Sequence, residues 1–141
     1  MILLDTSGLL AALDKAQRLH EEAAASLAGA RGALLLSPFV LAELDYLLLT
    51  RVGSAPRAAL LEEVARGAYR LESFSAADVD EARRIIERHA DLEISLADAS
   101  IAVLAGRHGV RDVLTLDERH FRVLTTKRKP FRLLPADADR G

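Results

Sequence analysis

The chain has 141 residues, half of them hydrophobic, which fits a single domain spanning residues 1–141 that can bury a core. It contains no cysteine, which excludes disulfides, thiolate metal sites and a cysteine nucleophile and favours a cytoplasmic location. The net charge is only −2, so the chain as a whole is neither strongly basic nor strongly acidic. Asp5 interrupts the apolar N-terminus and the longest apolar stretch, residues 39–49, is too short to cross a bilayer, so we expect neither a signal peptide nor membrane contact.

Short apolar strands alternate with helices along the whole chain. In the first half we predict strand 1–4, helix 6–13, helix 20–27, strand 33–36, helix 38–51, helix 56–66 and strand 69–72. In the second half we predict helix 76–90, helix 96–105, strand 112–116, helix 118–121 and strand 131–134. This alternation predicts an α/β fold, a three-layer α/β/α sandwich with a central parallel sheet of four to five strands.

Four acidic side chains lie at informative places in this pattern. Asp5 and Asp117 directly follow predicted strands, where open parallel sheets bind their ligands. Asp98 lies in the first turn of a helix, and Glu43 lies in a nearly all-apolar helix, where we expect it to be buried and to need a partner. Each acid also has a simpler explanation: the three aspartates could cap helices, and Glu43 could pair with an arginine such as Arg51.

The four acids together point to a metal site. If their carboxylates converge at one edge of the sheet, they repel one another unless a cation neutralises them, and oxygen ligands suit Mg²⁺ or Mn²⁺. Such an ion can activate water and stabilise the leaving oxygen of a phosphodiester. We expect the four scattered histidines to be ordinary surface groups, because no pair has ligand spacing: His20, His89, His108 and His120.

The C-terminal part of the chain is locally basic. The stretch from residue 119 to residue 132 contains six lysines or arginines and no acid. This basic edge could be a solvated surface or could bind a polyanion such as RNA. The candidate RNA-binding residues are Arg119, Arg122, Lys127, Arg128 and Lys129.

Four segments resemble the acidic motifs of a known family, in the same order. They are Leu4-Asp5-Thr6-Ser7, Leu41-Ala42-Glu43-Leu44, Leu96-Ala97-Asp98-Ala99 and Thr115-Leu116-Asp117-Glu118-Arg119-His120-Phe121. The sequence is similar in this respect to PIN-domain ribonucleases, and the helix beginning Ser37-Pro38 resembles the VapC toxins of type II VapBC toxin–antitoxin systems. The resemblance extends from Met1 to about Leu134.

The resemblance implies an endoribonuclease that uses Mg²⁺ or Mn²⁺ to hydrolyse tRNA or rRNA and so inhibits translation. It implies Asp5 and Asp98 as the main metal ligands, with Glu43 and Asp117 completing the catalytic acidic cluster. The positions that orient carboxylates or water correspond to Thr6, Ser7 and Thr115. The implied partners are RNA, a cognate VapB-type antitoxin and a second copy of the chain. Residues 47–49 extend an apolar helix and the helix 56–67 follows closely, so we expect the second copy to bind through this helical region and the antitoxin to lie over a nearby apolar groove. DNA would be contacted only through the antitoxin.

Three other protein classes compete with this interpretation. A haloacid-dehalogenase-type phosphatase needs a second aspartate two residues after the first, where this chain has Ser7. A Rossmann dehydrogenase is excluded because no Gly-x-Gly-x-x-Gly follows a strand. A PIN-like module that binds RNA or protein without cutting stays open, although clustered acids gain nothing by facing a polyanion.

Overall fold

The computed structural model describes residues 1–140 and places a parallel sheet at the centre of the molecule. Its strands are β1 (Ile2–Leu4), β2 (Leu34–Leu36), β3 (Arg70–Leu71), β4 (Asp112–Leu114), β5 (Thr125–Thr126), β6 (Lys129–Pro130) and β7 (Arg132–Leu134). Five of them form the parallel sheet in the order β3-β2-β1-β4-β7, and β5 pairs with β6 in a separate antiparallel hairpin. The predicted parallel sheet of four to five strands is confirmed.

Helices flank the sheet and give the predicted α/β/α arrangement. They are α1 (Thr6–Leu13), α2 (His20–Gly29), α3 (Pro38–Arg51), α4 (Ser54–Ala65), α5 (Ala76–Arg88), α6 (Leu96–His108) and α7 (Glu118–Phe121), with a 3₁₀ turn over Ala90–Leu92. The central strands are buried on both faces, as their continuous apolar runs predict. No helix within residues 1–140 is long and apolar enough to span a membrane.

Helix α1 lies unusually close to the sheet, because a glycine lies at the contact. A Cβ atom built on Gly8 would be 2.2 Å from the carbonyl oxygen of Leu114, the last residue of β4. Only glycine permits this approach of helix to strand. The contact holds the N-terminal end of α1, and with it the end of β1, against the end of β4.

Helix α6 follows the edge formed by the carboxyl ends of the strands. Ser100 Oγ lies 2.7 Å from Ser37 Oγ, just after β2, and further along the helix His108 binds the buried carboxylate of Glu72, just after β3. The sequence predicts an end at residue 105, but the helix continues to His108 and stops at Gly109, whose φ is 64°. The side chains of α6 therefore reach several strand ends in turn.

The basic edge contains a hairpin that the sequence pattern does not predict. Its turn consists of two residues, Lys127 and Arg128, which lie between Thr126 and its pairing partner Lys129. Both turn residues have positive φ, 47° and 65°, as a two-residue type I′ turn requires. Asparagine and glycine are the usual residues of such a turn. Because this chain has a lysine and an arginine there, the sequence pattern does not indicate a turn.

Candidate active site

Asp5 lies at the end of β1 with its carboxylate held by hydroxyl groups. Its Oδ2 accepts hydrogen bonds from Ser7 Oγ at 2.8 Å and Thr115 Oγ1 at 2.7 Å. Asp5 is the N-cap residue of α1, as the simpler explanation predicts, but its side chain makes no capping hydrogen bond, so capping does not account for the buried carboxylate. Ser7 and Thr115 orient the carboxylate, whereas Thr6 Oγ1 has no hydrogen-bond partner within residues 1–140.

Asp98 and Asp117 are fixed in place by helix capping. Asp98 and Ser95 form a reciprocal capping box at the start of α6. Asp117 accepts a hydrogen bond from the backbone N–H of His120 at 3.1 Å at the start of α7. The capping explanation is therefore correct for both residues. It does not exclude a role in a metal site, because each cap holds its carboxylate in a defined position.

His120 lies between these two carboxylates. Its Nδ1 is 2.9 Å from Asp117 Oδ2 and 3.3 Å from Asp98 Oδ2, and its Nε2 is 2.8 Å from the carbonyl oxygen of Leu92. The expectation of four ordinary surface histidines is wrong for His120 and for His108, because each side chain is only 16% exposed. The spacing Asp117-x-x-His120 was the available signal, since residues three apart share one side of a helix.

The burial and mutual repulsion of the acids perturb their protonation. Burial raises the pKa of Asp5 to about 6, with a further increase from the charge of Asp98, against the lowering effect of the hydrogen bonds from Thr115 and Ser7. Burial also raises the pKa of Asp98, and the charge of Asp117 adds to the rise while Ser95 and His120 oppose it. Because Asp98 raises the pKa of Asp5 and Asp117 raises the pKa of Asp98, the three carboxylates form one cluster of interacting negative charges.

This cluster fits a divalent cation. One ligand atom each from Asp98, Asp117 and His120 lies within 4.8 Å of the other two. No lysine or arginine of residues 1–140 forms an ion pair with Asp5, Asp98 or Asp117. His120 is the basic side chain in contact with Asp98 and Asp117, and it can carry one positive charge at most against three carboxylates, so a bound divalent cation would neutralise the cluster more fully.

Glu43 does not behave as the sequence predicts. The buried stripe of α3 consists of Val40, Leu44 and Leu48, and Glu43 projects from an exposed side of the helix. It has no hydrogen bond or ion pair within the described chain, and the expected burial is wrong because an apolar helix can leave part of its circumference exposed. Its role in the acidic cluster stays a prediction.

The basic edge divides into paired and free cations. Arg122 binds Asp137 with two hydrogen bonds, both of 2.7–2.8 Å, and also binds Glu118. Within residues 1–140, no acid forms an ion pair with the other candidates, which are Arg119, Lys127, Arg128 and Lys129. Lys127 and Arg128 line a cleft of 910 Å³ between α5, α6 and the β5–β6 hairpin.

Comparison with known proteins identifies the class to which this fold and acidic cluster belong. The model of the PIN domain matches residues 2–125, so the chain belongs to the PIN domain family. It is homologous to VapC ribonuclease toxins. It is 44% identical to ribonuclease VapC26 of Mycobacterium tuberculosis over 123 residues, which cover 87% of this chain and 91% of that protein. The resemblance read from the four motifs is confirmed.

Solved structures give the same class. The crystal structure of Mycobacterium tuberculosis VapC20, a sarcin–ricin loop cleaving toxin, matches with a TM-score of 0.77 and 25% identity, covering 83% of this chain and 90% of that one. FitAcB from Neisseria gonorrhoeae matches with a TM-score of 0.57 and 26% identity, covering 84% and 88%. A structure of FitAB bound to an IR36 DNA fragment matches with a TM-score of 0.57 and 25% identity, covering 80% and 82%.

Proposed function

We propose that this protein is the toxin of a type II toxin–antitoxin system, a single-domain endoribonuclease that hydrolyses RNA phosphodiester bonds with Mg²⁺ or Mn²⁺. The observation that carries the proposal is the cluster of Asp5, Asp98 and Asp117, buried or half-buried and without a lysine or arginine partner in the described chain. Membership of the PIN domain family and homology to VapC ribonucleases supply the reaction class. A binding module would gain nothing from this concentration of negative charge beside a polyanion.

The side chains of the chain prepare the site before RNA arrives. Ser7 and Thr115 hold Asp5 in one orientation, and the helix caps hold Asp98 and Asp117. These carboxylates, with Glu43, would hold the divalent cation. When bound, that cation supplies a more reactive water and offsets the negative charge of the phosphate and of the leaving 3′-oxygen.

The RNA substrate belongs to the translation machinery in this proposal. VapC20 is a sarcin–ricin loop cleaving toxin, which supports tRNA or rRNA as the substrate class here. Structured RNA of this kind is recognised through exposed loops and backbone shape, and the free cations of the basic edge would contact its phosphates. A cytoplasmic site of action follows from such a substrate.

Two protein partners belong to the proposal. An antitoxin of the VapB type would inhibit the enzyme, and DNA would be contacted only through that antitoxin. Homology to the VapC toxins supports the antitoxin, and the match to a FitAB structure bound to an IR36 DNA fragment is compatible with a DNA-binding complex. A second copy of this chain would bind the helical face formed by α3 and α4. That face exposes apolar side chains, including Tyr46 at 66%, Leu49 at 44% and Leu61 at 39%.

The proposed activity can be tested with one substitution and one chelator. The purified protein should cut tRNA or rRNA with Mg²⁺ or Mn²⁺, and EDTA should abolish the reaction. Asp98→Asn can keep the cap on α6 but removes a charged ligand, and cleavage should fall by at least about 100-fold, since even outer partners of a metal site cost 10–100-fold. Asp45→Asn, a surface acid paired with Arg57, is the matched control and should cut normally. RNA bound tightly but left intact with either metal would contradict the proposal.

A further inference from the structure

The hydrogen bonds of His120 fix which nitrogen faces the acidic cluster. The Leu92 carbonyl oxygen can only accept a hydrogen bond, so the Nε2 of His120, 2.8 Å away, is the donor. In the neutral ring the other nitrogen, Nδ1, then carries a lone pair. That lone pair points at Oδ2 of Asp98 and Oδ2 of Asp117, which also carry lone pairs. Three electron-pair donors therefore face one another, so either a proton on Nδ1 or a bound cation must lie among them.

The separations among these atoms match those of ligands around one cation. In octahedral coordination with bonds of about 2.1 Å, ligands at adjacent corners are about 3.0 Å apart. The observed separations from Nδ1 are 2.9 Å to Asp117 Oδ2 and 3.3 Å to Asp98 Oδ2. A ring N–H donated to a backbone carbonyl is also the usual second contact of a metal-binding histidine, because it fixes the tautomer and the ring orientation.

Local structure holds the ring in this position. His120 lies on α7, three residues after Asp117, whose carboxylate also accepts the backbone N–H of His120. The carbonyl of Leu92 belongs to the 3₁₀ turn between α5 and α6, just before the capping box that holds Asp98. The two segments that supply the acids therefore also set the orientation of the imidazole.

We infer that His120 is a metal ligand through Nδ1, and that with Asp98 and Asp117 it makes a mixed imidazole–carboxylate centre that prefers Mn²⁺ to Mg²⁺. The inference rests on the proposed function for the presence of a divalent cation. Imidazole nitrogen binds first-row transition metals well, whereas Mg²⁺ takes oxygen ligands and keeps much of its water. Four carboxylates alone would not distinguish Mg²⁺ from Mn²⁺, whereas an imidazole nitrogen among the ligands favours Mn²⁺.

Pulsed electron paramagnetic resonance on the Mn²⁺-loaded protein tests the inference without any activity measurement. The expected result is a hyperfine coupling from a directly bound imidazole nitrogen, which changes on ¹⁵N-histidine labelling. The coupling should disappear in His120→Asn, which keeps an N–H donor near the position of Nδ1 but has no imidazole. It should persist in His89→Asn, a control histidine at the end of α5. Should His120→Asn not fold, His120→Gln serves as the second variant, and the wild-type spectrum alone is already decisive.

Competition between the two metals gives an independent measurement. In titration calorimetry the preference of the wild-type protein for Mn²⁺ over Mg²⁺ should exceed that of His120→Asn by about tenfold or more. A Mn²⁺ spectrum with oxygen ligands only, and an unchanged metal preference, would overturn the inference and leave His120 as a hydrogen-bond partner of Asp117. If that protein still cuts RNA with metal, the proposed function stands. A nitrogen-coupled Mn²⁺ spectrum from a protein that cuts no RNA would support the inference about His120 and contradict the proposed function.

Discussion

Asp5 is a buried carboxylate that accepts hydrogen bonds from two hydroxyl groups and is repelled by the charge of Asp98. Its pKa is raised from 3.8 to about 6, so between these two pH values the folded protein binds a proton that the unfolded chain does not. The free energy of unfolding of the metal-free protein therefore falls as pH rises through this window and stays lower above it. Charged Asp5 is a local destabilisation that the proposed cation would relieve.

This reasoning predicts an opposite effect of Asp5→Asn on stability and on activity. Without metal at pH 7.5, the variant should be more stable than the wild type by up to about 3 kcal/mol, because a shift of about two pKa units is removed. Below about pH 4 the two proteins should be equally stable, and at any pH the variant should cut RNA poorly. Chemical denaturation at both pH values, with EDTA present, measures the difference. A metal-free Asp5→Asn protein less stable than wild type at pH 7.5 would contradict this account.

The sequence identifies some members of the site and not others for a physical reason. Asp5 and Asp117 follow strands and Asp98 opens a helix, so local pattern alone brings them to one edge of the sheet. The spacing Asp117-x-x-His120 places the histidine beside Asp117, but its distances to Asp98 and to the Leu92 carbonyl depend on how α6 and α7 pack. The exposure of Glu43 likewise depends on which side of α3 meets the core, which a nearly uniform apolar run does not specify.

At the scale of elements, the close contact of α1 with β4 links the fold to the site. Gly8 lies in α1, which begins directly after Asp5, while Leu114 ends β4 and is followed by Thr115, the hydroxyl donor to Asp5. Any separation of α1 from β4 lengthens the hydrogen bond between Thr115 and Asp5. Packing at one glycine therefore sets the geometry of a carboxylate three residues away.

We therefore predict that Gly8→Ala damages both stability and catalysis. The new methyl group would meet the carbonyl of Leu114 at 2.2 Å, a contact with backbone that side-chain rotation cannot relieve. The loss of stability should be about 1–3 kcal/mol or more, with a matching fall in cleavage. Gly106→Ala, within α6 and with no atom within 4 Å of the added carbon, is the control and should gain about 0.5–1 kcal/mol. Thermal melting and RNA cleavage on both variants decide the question, and a harmless Gly8→Ala would show that α1 can move.

The elements themselves are predictable where strand and helix patterns are strong. Helix α3 begins at Pro38 and ends at Arg51, as its cap and apolar run predict. The end of α6 is displaced because Gly106 is accepted inside the helix, and the actual stop is the positive φ of Gly109. The β5–β6 hairpin is missed because its two turn residues are cations.

At the scale of the whole molecule, the exposed apolar face of α3 and α4 predicts how two copies associate. Tyr46 and Leu49 lie three residues apart on α3 and are 66% and 44% exposed. The double change Tyr46→Lys and Leu49→Lys should convert a dimer to a monomer without unfolding it, because neither side chain belongs to the core. Val79→Lys, an equally apolar and exposed site on α5, should leave the dimer intact. Sedimentation velocity at micromolar concentration measures the outcome, and a wild-type protein that is monomeric there would contradict the proposed dimer.

The free cations of the hairpin and of α5 point to the path of the RNA. Arg88, Lys127 and Arg128 line the same cleft of 910 Å³, and none of them forms an ion pair within residues 1–140. The cleft also reaches His89, which directly precedes the turn whose Leu92 carbonyl binds His120. The cleft thus holds three cations without an ion pair in the described chain, alongside Asp78 and Glu81, and these cations could bind phosphates of an RNA backbone.

Replacing the two residues of the β5–β6 turn by asparagine and glycine tests the effect of their charge on RNA binding without destabilising the hairpin. Lys127→Asn with Arg128→Gly removes two cations, yet it supplies the sequence that a type I′ turn favours, so stability should rise, by about 1 kcal/mol. RNA affinity should nevertheless fall. If each lost cation contacts one phosphate of a single-stranded segment, the slope of log K against log salt should become shallower by about 1.4.

The matched control removes two arginines from α5 that are already paired. Arg83→Ala with Arg84→Ala changes the net charge equally, but these side chains bind Asp80 and Glu87 instead of lining the cleft. Fluorescence anisotropy with labelled RNA at several salt concentrations should show an altered slope only for the hairpin variant. Equal effects of the two variants would mean that only net charge attracts the RNA. An unchanged hairpin variant would mean that the RNA reaches the acidic cluster by another route.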